Sequence, residues 1–228
     1  MKQLILSVCL LLSTGMAALA QTNTMNSAED SDPKAKAILD QIRSRFEGYQ
    51  SLGADFTLDI TFPEQPTETQ RGSLGQEGDK FRMQMESQTV ISDGETLWMI
   101  FDHNQEVQIN DMPEEAEMGG TILSPESFLN FYDQGDFAYF LTNEFAQGGR
   151  TVQQIEFKPL DRDVEYSKLR MNVDKATKDI ISVEAFAKDG SRYKLSITKM
   201  RANQKFADNY FRFNKADYPG YYVEDLRY

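Results

Sequence analysis

The chain has 228 residues, 40% hydrophobic and 11% aromatic, with 36 Asp+Glu against 24 Lys+Arg and a formal net charge of −12. This is enough apolar mass for one domain with a real core. The acidic balance and the lack of any Lys/Arg-rich run exclude nucleic-acid binding, which rests on neutralising phosphates, and leave only transient contact with an anionic membrane.

Residues 1–20 have the build of a secretory signal peptide. Lys2 supplies the positive charge, Leu4 to Leu12 the apolar run, and Ala18-Leu19-Ala20 the small-residue site, so cleavage is expected after Ala20. The chain's one cysteine, Cys9, lies inside that apolar run, which disfavours its reading as a lipid-modified cysteine. Removal of the peptide leaves no thiol for a disulfide, a nucleophile or a metal site. The mature protein is then expected in the periplasm.

Residues 21–32 are polar and predicted disordered, and residues 33–228 are predicted to form a single domain. Asp32 and Pro33 form a cap and first-turn pair, and Ala35, Ile38, Leu39, Ile42, Phe46 and Tyr49 recur at helical spacing, predicting a helix over Pro33–Gln50. From Leu52 the period becomes two: Leu52, Ala54, Phe56, Leu58 and Ile60 alternate with polar residues. Similar alternation recurs at Phe81–Met85, Val107–Ile109, Ser167–Val173, Ile181–Ala187 and Tyr193–Ile197. Turn signals at Glu77-Gly78-Asp79, Ser92-Asp93-Gly94 and Lys188-Asp189-Gly190 separate these runs. The pattern predicts a mainly β fold, an antiparallel meander that curls on itself. Ser124-Pro125 opens a short predicted helix carrying Phe128, Phe131 and Tyr132, preceded by the acidic stretch Glu114–Glu117.

Catalytic chemistry has little material. His103 is the single histidine; it falls at a predicted hairpin tip, where an exposed turn residue is the favoured reading. His/Cys zinc sites and His-based triads cannot be assembled, and phosphate-binding glycine loops are missing. The predicted protein is not an enzyme and uses no cofactor or metal.

The informative constellation is apolar. Seven aromatics fall between Phe128 and Phe145, and Met83, Met85, Met99, Met112 and Met118 lie just upstream. Methionines are flexible and polarisable, suited to surfaces that repack around variable guests. Plain core and cavity lining both remain open for these residues. By alternation, Phe56, Leu58, Met83, Met85 and Met99 point inward; Trp98 has apolar neighbours on both sides and is compatible with either face.

The segment Ile91-Ser92-Asp93-Gly94-Glu95-Thr96-Leu97-Trp98-Met99-Ile100 resembles the SDG-x-x-LW signature of LolA-type periplasmic carriers of outer-membrane lipoproteins. The order of the elements around it agrees: the N-terminal helix, the strand at Leu52–Thr57, Arg71–Leu74 leading to Lys80–Met83, the Ser-Pro helix, and the closing Tyr222–Leu226. The resemblance implies an unclosed antiparallel β-barrel, with an N-terminal helix and short helices forming a lid over an apolar cavity. It also implies a monomeric carrier for acylated lipoproteins, released by an inner-membrane ATP-driven transporter and delivered to an outer-membrane acceptor. Phe56, Leu58, Met83, Met85, Trp98 and Met99 would line that cavity, and Phe128, Phe131 and Tyr132 the lid. A sensor or scaffold of the same fold, binding lipid or protein in the envelope without transporting it, is the alternative. Where many family members carry a basic residue before the strand at Lys80, this chain has Glu77-Gly78-Asp79.

Overall fold

A computed structural model describes residues 27–112 and 135–227. The predicted signal peptide, the acidic stretch at 114–117 and the short helix carrying Phe128, Phe131 and Tyr132 lie outside these residues. Of the segment expected to be disordered, residues 27–32 are among those described. Ser27 caps the 3-10 turn Ala28–Asp30, its Oγ accepting from the Glu29 N–H at 3.1 Å. The Ser31 Oγ accepts from the Tyr139 N–H at 3.2 Å, and the Asp32 N–H donates to the Tyr139 carbonyl at 2.9 Å. Polar composition here supplies caps, which satisfy backbone groups that would otherwise stay in water.

Helix α1 (Pro33–Glu47) starts where expected, with the Asp32 Oδ1 accepting from the Lys34 N–H at 2.8 Å. It ends three residues earlier than periodicity predicts, at the C-cap Gly48. Tyr49, beyond the helix, accepts from Arg45 Nε at 2.6 Å through its hydroxyl. Its recurrence at helical spacing therefore reflects a side-chain hydrogen bond made after the helix has stopped.

Among the described residues twelve strands follow. They are β1 (Ser51–Thr61), β2 (Glu68–Glu77), β3 (Lys80–Met85), β4 (Gln88–Ser92), β5 (Thr96–Phe101) and β6 (Glu106–Asp111), then β7 (Phe137–Gln147), β8 (Arg150–Pro159), β9 (Tyr166–Asp174), β10 (Ile180–Ala187), β11 (Arg192–Ala202) and β12 (Tyr222–Asp225). All belong to one sheet, ordered β12-β6-β5-β4-β3-β2-β1-β11-β10-β9-β8-β7. Two hairpin meanders, β1–β6 and β7–β11, are joined by the long β1–β11 ladder, and the sheet stays unclosed with β12 and β7 at its edges. The departure from antiparallel pairing is β12, which runs parallel to β6.

Register assigns every side chain to a face, because residues paired across a ladder project the same way. One inner row runs Leu141, Ile155, Met171, Val183, Leu195, Leu58. A second runs Ala54, Leu74, Met83, Val90, Met99. Ala35, Ile38, Leu39 and Ile42 of α1 pack on this inner face at the β7–β10 end, against Phe137, Tyr139, Ile155, Phe157, Leu169, Met171 and Val183. This is the main core.

The outer face has two characters. Over β8–β11 it is charged: Glu156 accepts from Arg170 Nη2 at 2.6 Å and Lys168 Nζ at 3.0 Å, and Lys168, Arg170 and Arg192 surround the Phe186 ring. Burial alone would raise the Glu156 carboxyl, but these two cations outweigh it and hold the group below its ordinary 4.5. The folded state therefore binds a proton less readily than the unfolded chain, and the stabilisation is present above that value and lost as pH falls through the folded one. Glu156→Gln is expected to cost about 1 kcal/mol at pH 6. Urea unfolding of both proteins should show this gap closing as pH falls below the ordinary glutamate range.

Over β1–β6 the outer face is covered by the C-terminal tail. Phe213, Tyr218, Tyr221 and Val223 pack on Ile91, Trp98, Ile100 and Val107. The tail reaches this face across Gly75, where a Cβ would lie 2.6 Å from the Tyr210 ring and 2.8 Å from Phe206. Arg82 fastens it, donating to the Tyr210 carbonyl at 3.3 Å beneath the same ring.

Candidate functional site

The Ser92-Asp93-Gly94 signature closes the β4–β5 hairpin. Asp93 Oδ1 accepts from the Glu95 and Thr96 N–H groups at 3.2 and 2.9 Å, and the buried Ser92 Oγ accepts from the Gly94 N–H at 3.1 Å. Gly94 has φ +99°, a conformation in which a Cβ would be strained. These residues set the register that follows: Leu97 opposite Ser92, Trp98 opposite Ile91 and Met99 opposite Val90.

That register brings five of the sequence-predicted residues onto the inner face and takes one away. Met83 and Met99 flank Val90, in a cluster with Leu74, Phe81, Leu97 and Met112. Phe56 and Met85 lie on either side of Gly72 in the ladder. A Cβ at Gly72 would come within 2.4 Å of the Phe56 ring, so the ring fills the space over the glycine next to Met85. Leu58, half-buried, pairs with Leu195 one row along. Trp98 projects the other way, onto the outer face under the tail. Phe128, Phe131 and Tyr132 are outside the described residues.

Burial grades across this inner face. Phe56 is 6% exposed and Val90 4%, while Leu58, Met83, Met85 and Met99 remain partly exposed. Partly exposed methionines beside a fully packed floor form a surface with shape to give, since a thioether chain changes rotamer at little cost.

On β6 the alternating apolar residues do not face inward. Val107 and Ile109 both point outward, where Val107 is buried in the tail cluster. The inner positions are Gln108, opposite Met99, and Asn110, opposite Leu97. The apolar rows thus end in a polar strip. Gln108 Nε2 donates to Glu106 Oε1 at 2.8 Å, whereas Asn110 Nδ2 is buried with no hydrogen-bond partner.

Two clefts open elsewhere. One of about 280 Å³ lies at the end of α1, among Arg43, Phe46, Tyr49, Leu52, Gln76 and Asp79. Another, of about 480 Å³ and more polar, lies between the β2–β3 turn and the tail, lined by Glu77, Lys80, Asp93, Glu95 and Arg212 among others. Neither contains a predicted lining residue. His103 is exposed in the β5–β6 turn. Among the described residues no group of three or more His, Cys, Asp or Glu side chains is placed to hold a metal ion.

Known proteins place this geometry. The family model described as outer membrane lipoprotein carrier protein LolA matches residues 47–214. No curated protein matches the chain significantly. Among solved structures, an uncharacterized conserved protein from Thermus thermophilus is similar with TM-score 0.56 at 11% identity, covering 86% of this chain and 99% of its own. The lipoprotein LppX of Mycobacterium tuberculosis follows at TM-score 0.46 and 10% identity, covering 78% and 99%. A LolA superfamily protein from Nitrosomonas europaea gives 0.40 and 14%, covering 78% and 97%. With the unclosed sheet, the helix on its inner face and a family match over well more than half its length, the chain belongs to the LolA family.

Proposed function

We propose that this protein is a periplasmic carrier that holds the acyl chains of lipoproteins on the inner face of its sheet and moves them from the inner to the outer membrane. The observation that carries the reading is the partly exposed apolar surface built by Leu58, Met83, Met85 and Met99 beside Phe56, on the face that α1 seals only at its other end. Family membership supplies the class of guest. Residues 1–20 direct export and are removed. An ATP-driven transporter in the inner membrane supplies the cargo, an outer-membrane acceptor receives it, and the carrier works as a monomer without cofactor or catalysis.

The energetics suit the task. Each methylene taken from water gains about 0.8 kcal/mol, so a chain of roughly fourteen gains on the order of 11 kcal/mol, and unaided passage through water is prohibitive. The carrier must also release its guest, which favours adaptable contacts over close complementarity.

The test is a photo-crosslinking residue at Met85 in the native host, with a second at Trp98 as the outer-face control. Irradiation of intact cells is expected to give adducts with acylated lipoproteins from position 85 and none from position 98. Free lipid, or a single non-acylated protein, at position 85 would replace transport by binding in a sensor or scaffold.

A further inference from the structure

We infer that Asn110 is a specificity residue that recognises the ester carbonyl linking an acyl chain to its headgroup; the inference rests on the carrier reading above. Its Nδ2 is buried and has no hydrogen-bond partner. Its place in the ladder, opposite Leu97, turns it to the inner face beside the cluster of Phe81, Val90, Leu97, Met83 and Met99. The other polar side chain in that row, Ser92, is separated from it by Leu97, and its Oγ accepts from the Gly94 N–H and donates to the Met112 sulfur at 3.6 Å.

A buried amide donor left unsatisfied is costly, and native proteins keep such groups where something pairs with them. The occupant that pairs with it must bring an acceptor into an apolar setting, at the border where hydrocarbon gives way to polar groups. Asn110 stands at such a border. The row Met83, Val90, Met99 ends on β6 at Gln108, and the row Phe81, Ser92, Leu97 ends there at Asn110, in a polar strip that continues with Glu106. An acyl ester fits because its carbonyl oxygen accepts a hydrogen bond and is attached to the chain that the methionines cover. The chain then lies over β3–β5 with its ester at β6, and the headgroup projects past the strip into water.

The test compares two synthetic probes on the intact mature protein, a cysteine lipopeptide with two ester-linked palmitoyl chains and its analogue with two ether-linked hexadecyl chains. The wild type is expected to bind the ester about tenfold more tightly than the ether, the scale of one well-buried hydrogen bond. Asn110→Leu should lose this preference by weakening ester binding alone, while its thermal midpoint stays level or rises because an unpaired donor has gone. Equal binding of ester and ether by the wild type overturns the inference while leaving the carrier reading intact, and so does a loss in Asn110→Leu that affects both probes alike. Failure of the wild type to bind either probe overturns the carrier reading and this inference with it. The ester-to-ether ratio of the wild type needs no variant, so a poorly folding Asn110→Leu does not spoil the test.

Discussion

Leu39→Asp is expected to destabilise the fold by more than about 4 kcal/mol and to leave little folded protein at 37 °C. Leu39 is 1% exposed at the centre of the α1 stripe, against a floor that includes the fully buried Ile155 and Phe157. A carboxylate there has neither a cation nor water to solvate it, and a side chain shorter than leucine leaves a void as well. One position along, Asp40 is paired with Lys36 at 3.0 Å in an exposed i,i+4 bridge, with side chains 46% and 51% exposed. Asp40→Ala should therefore shift stability by no more than about 0.5 kcal/mol. Denaturant titration of the two variants checks both values, and comparable losses would mean that α1 does not pack on the sheet through the stripe of Ala35, Ile38, Leu39 and Ile42.

The same stripe shows why α1 is readable from sequence. A helix that buries one face leaves a 3.6-residue period whatever it packs against, and β1, β3, β9, β10 and β11 likewise leave a period of two. Strand β2 leaves almost none. Its residues Glu68–Glu77 include a single large aliphatic, Leu74, and two glycines that resemble turn signals. The glycines are there because rings occupy the space their side chains would need: Phe56 over Gly72 on the inner face, Phe206 and Tyr210 over Gly75 on the outer. That reason exists only in three dimensions.

The faces of Trp98 on β5 and of β6 are not readable from alternation, for a related cause. Alternation there states which residues share a side but not which side is inner, and the usual rule that the apolar side faces the core misleads when a tail covers the other face. Trp98, Ile100 and Val107 are apolar because Phe213, Tyr218, Tyr221 and Val223 lie on them. The inner positions of β6 are polar because the apolar surface ends there. Inward assignment by alternation therefore agrees with the ladder at Phe56, Leu58, Met83, Met85 and Met99, whereas Trp98, with apolar neighbours on both sides, carries no such signal and lies on the outer face.

This division of faces gives the second large effect, on the proposed cargo. Met85→Asp is expected to weaken binding of a diacylated lipopeptide by at least about 100-fold while the protein remains folded. Met85 is only partly buried and outside the packed clusters, so in the empty carrier the carboxylate keeps its water and folding loses little. A bound acyl chain would strip that water away beside Phe56, and the desolvation penalty falls on binding alone. Met83 and Met99 are less suitable for this purpose, because they pack against Phe81, Val90 and Leu97 and a charge there would disturb the fold itself. Trp98→Ala supplies the opposite outcome. It removes a ring from beneath the tail, at an expected cost of about 3 kcal/mol, and should leave lipopeptide affinity within about twofold among the folded molecules. Isothermal titration and thermal melts on the two variants separate binding from stability. Equal loss of affinity in both would place the cargo elsewhere than the inner face, whereas loss confined to Met85→Asp ties the acyl chain to the surface that α1 leaves open.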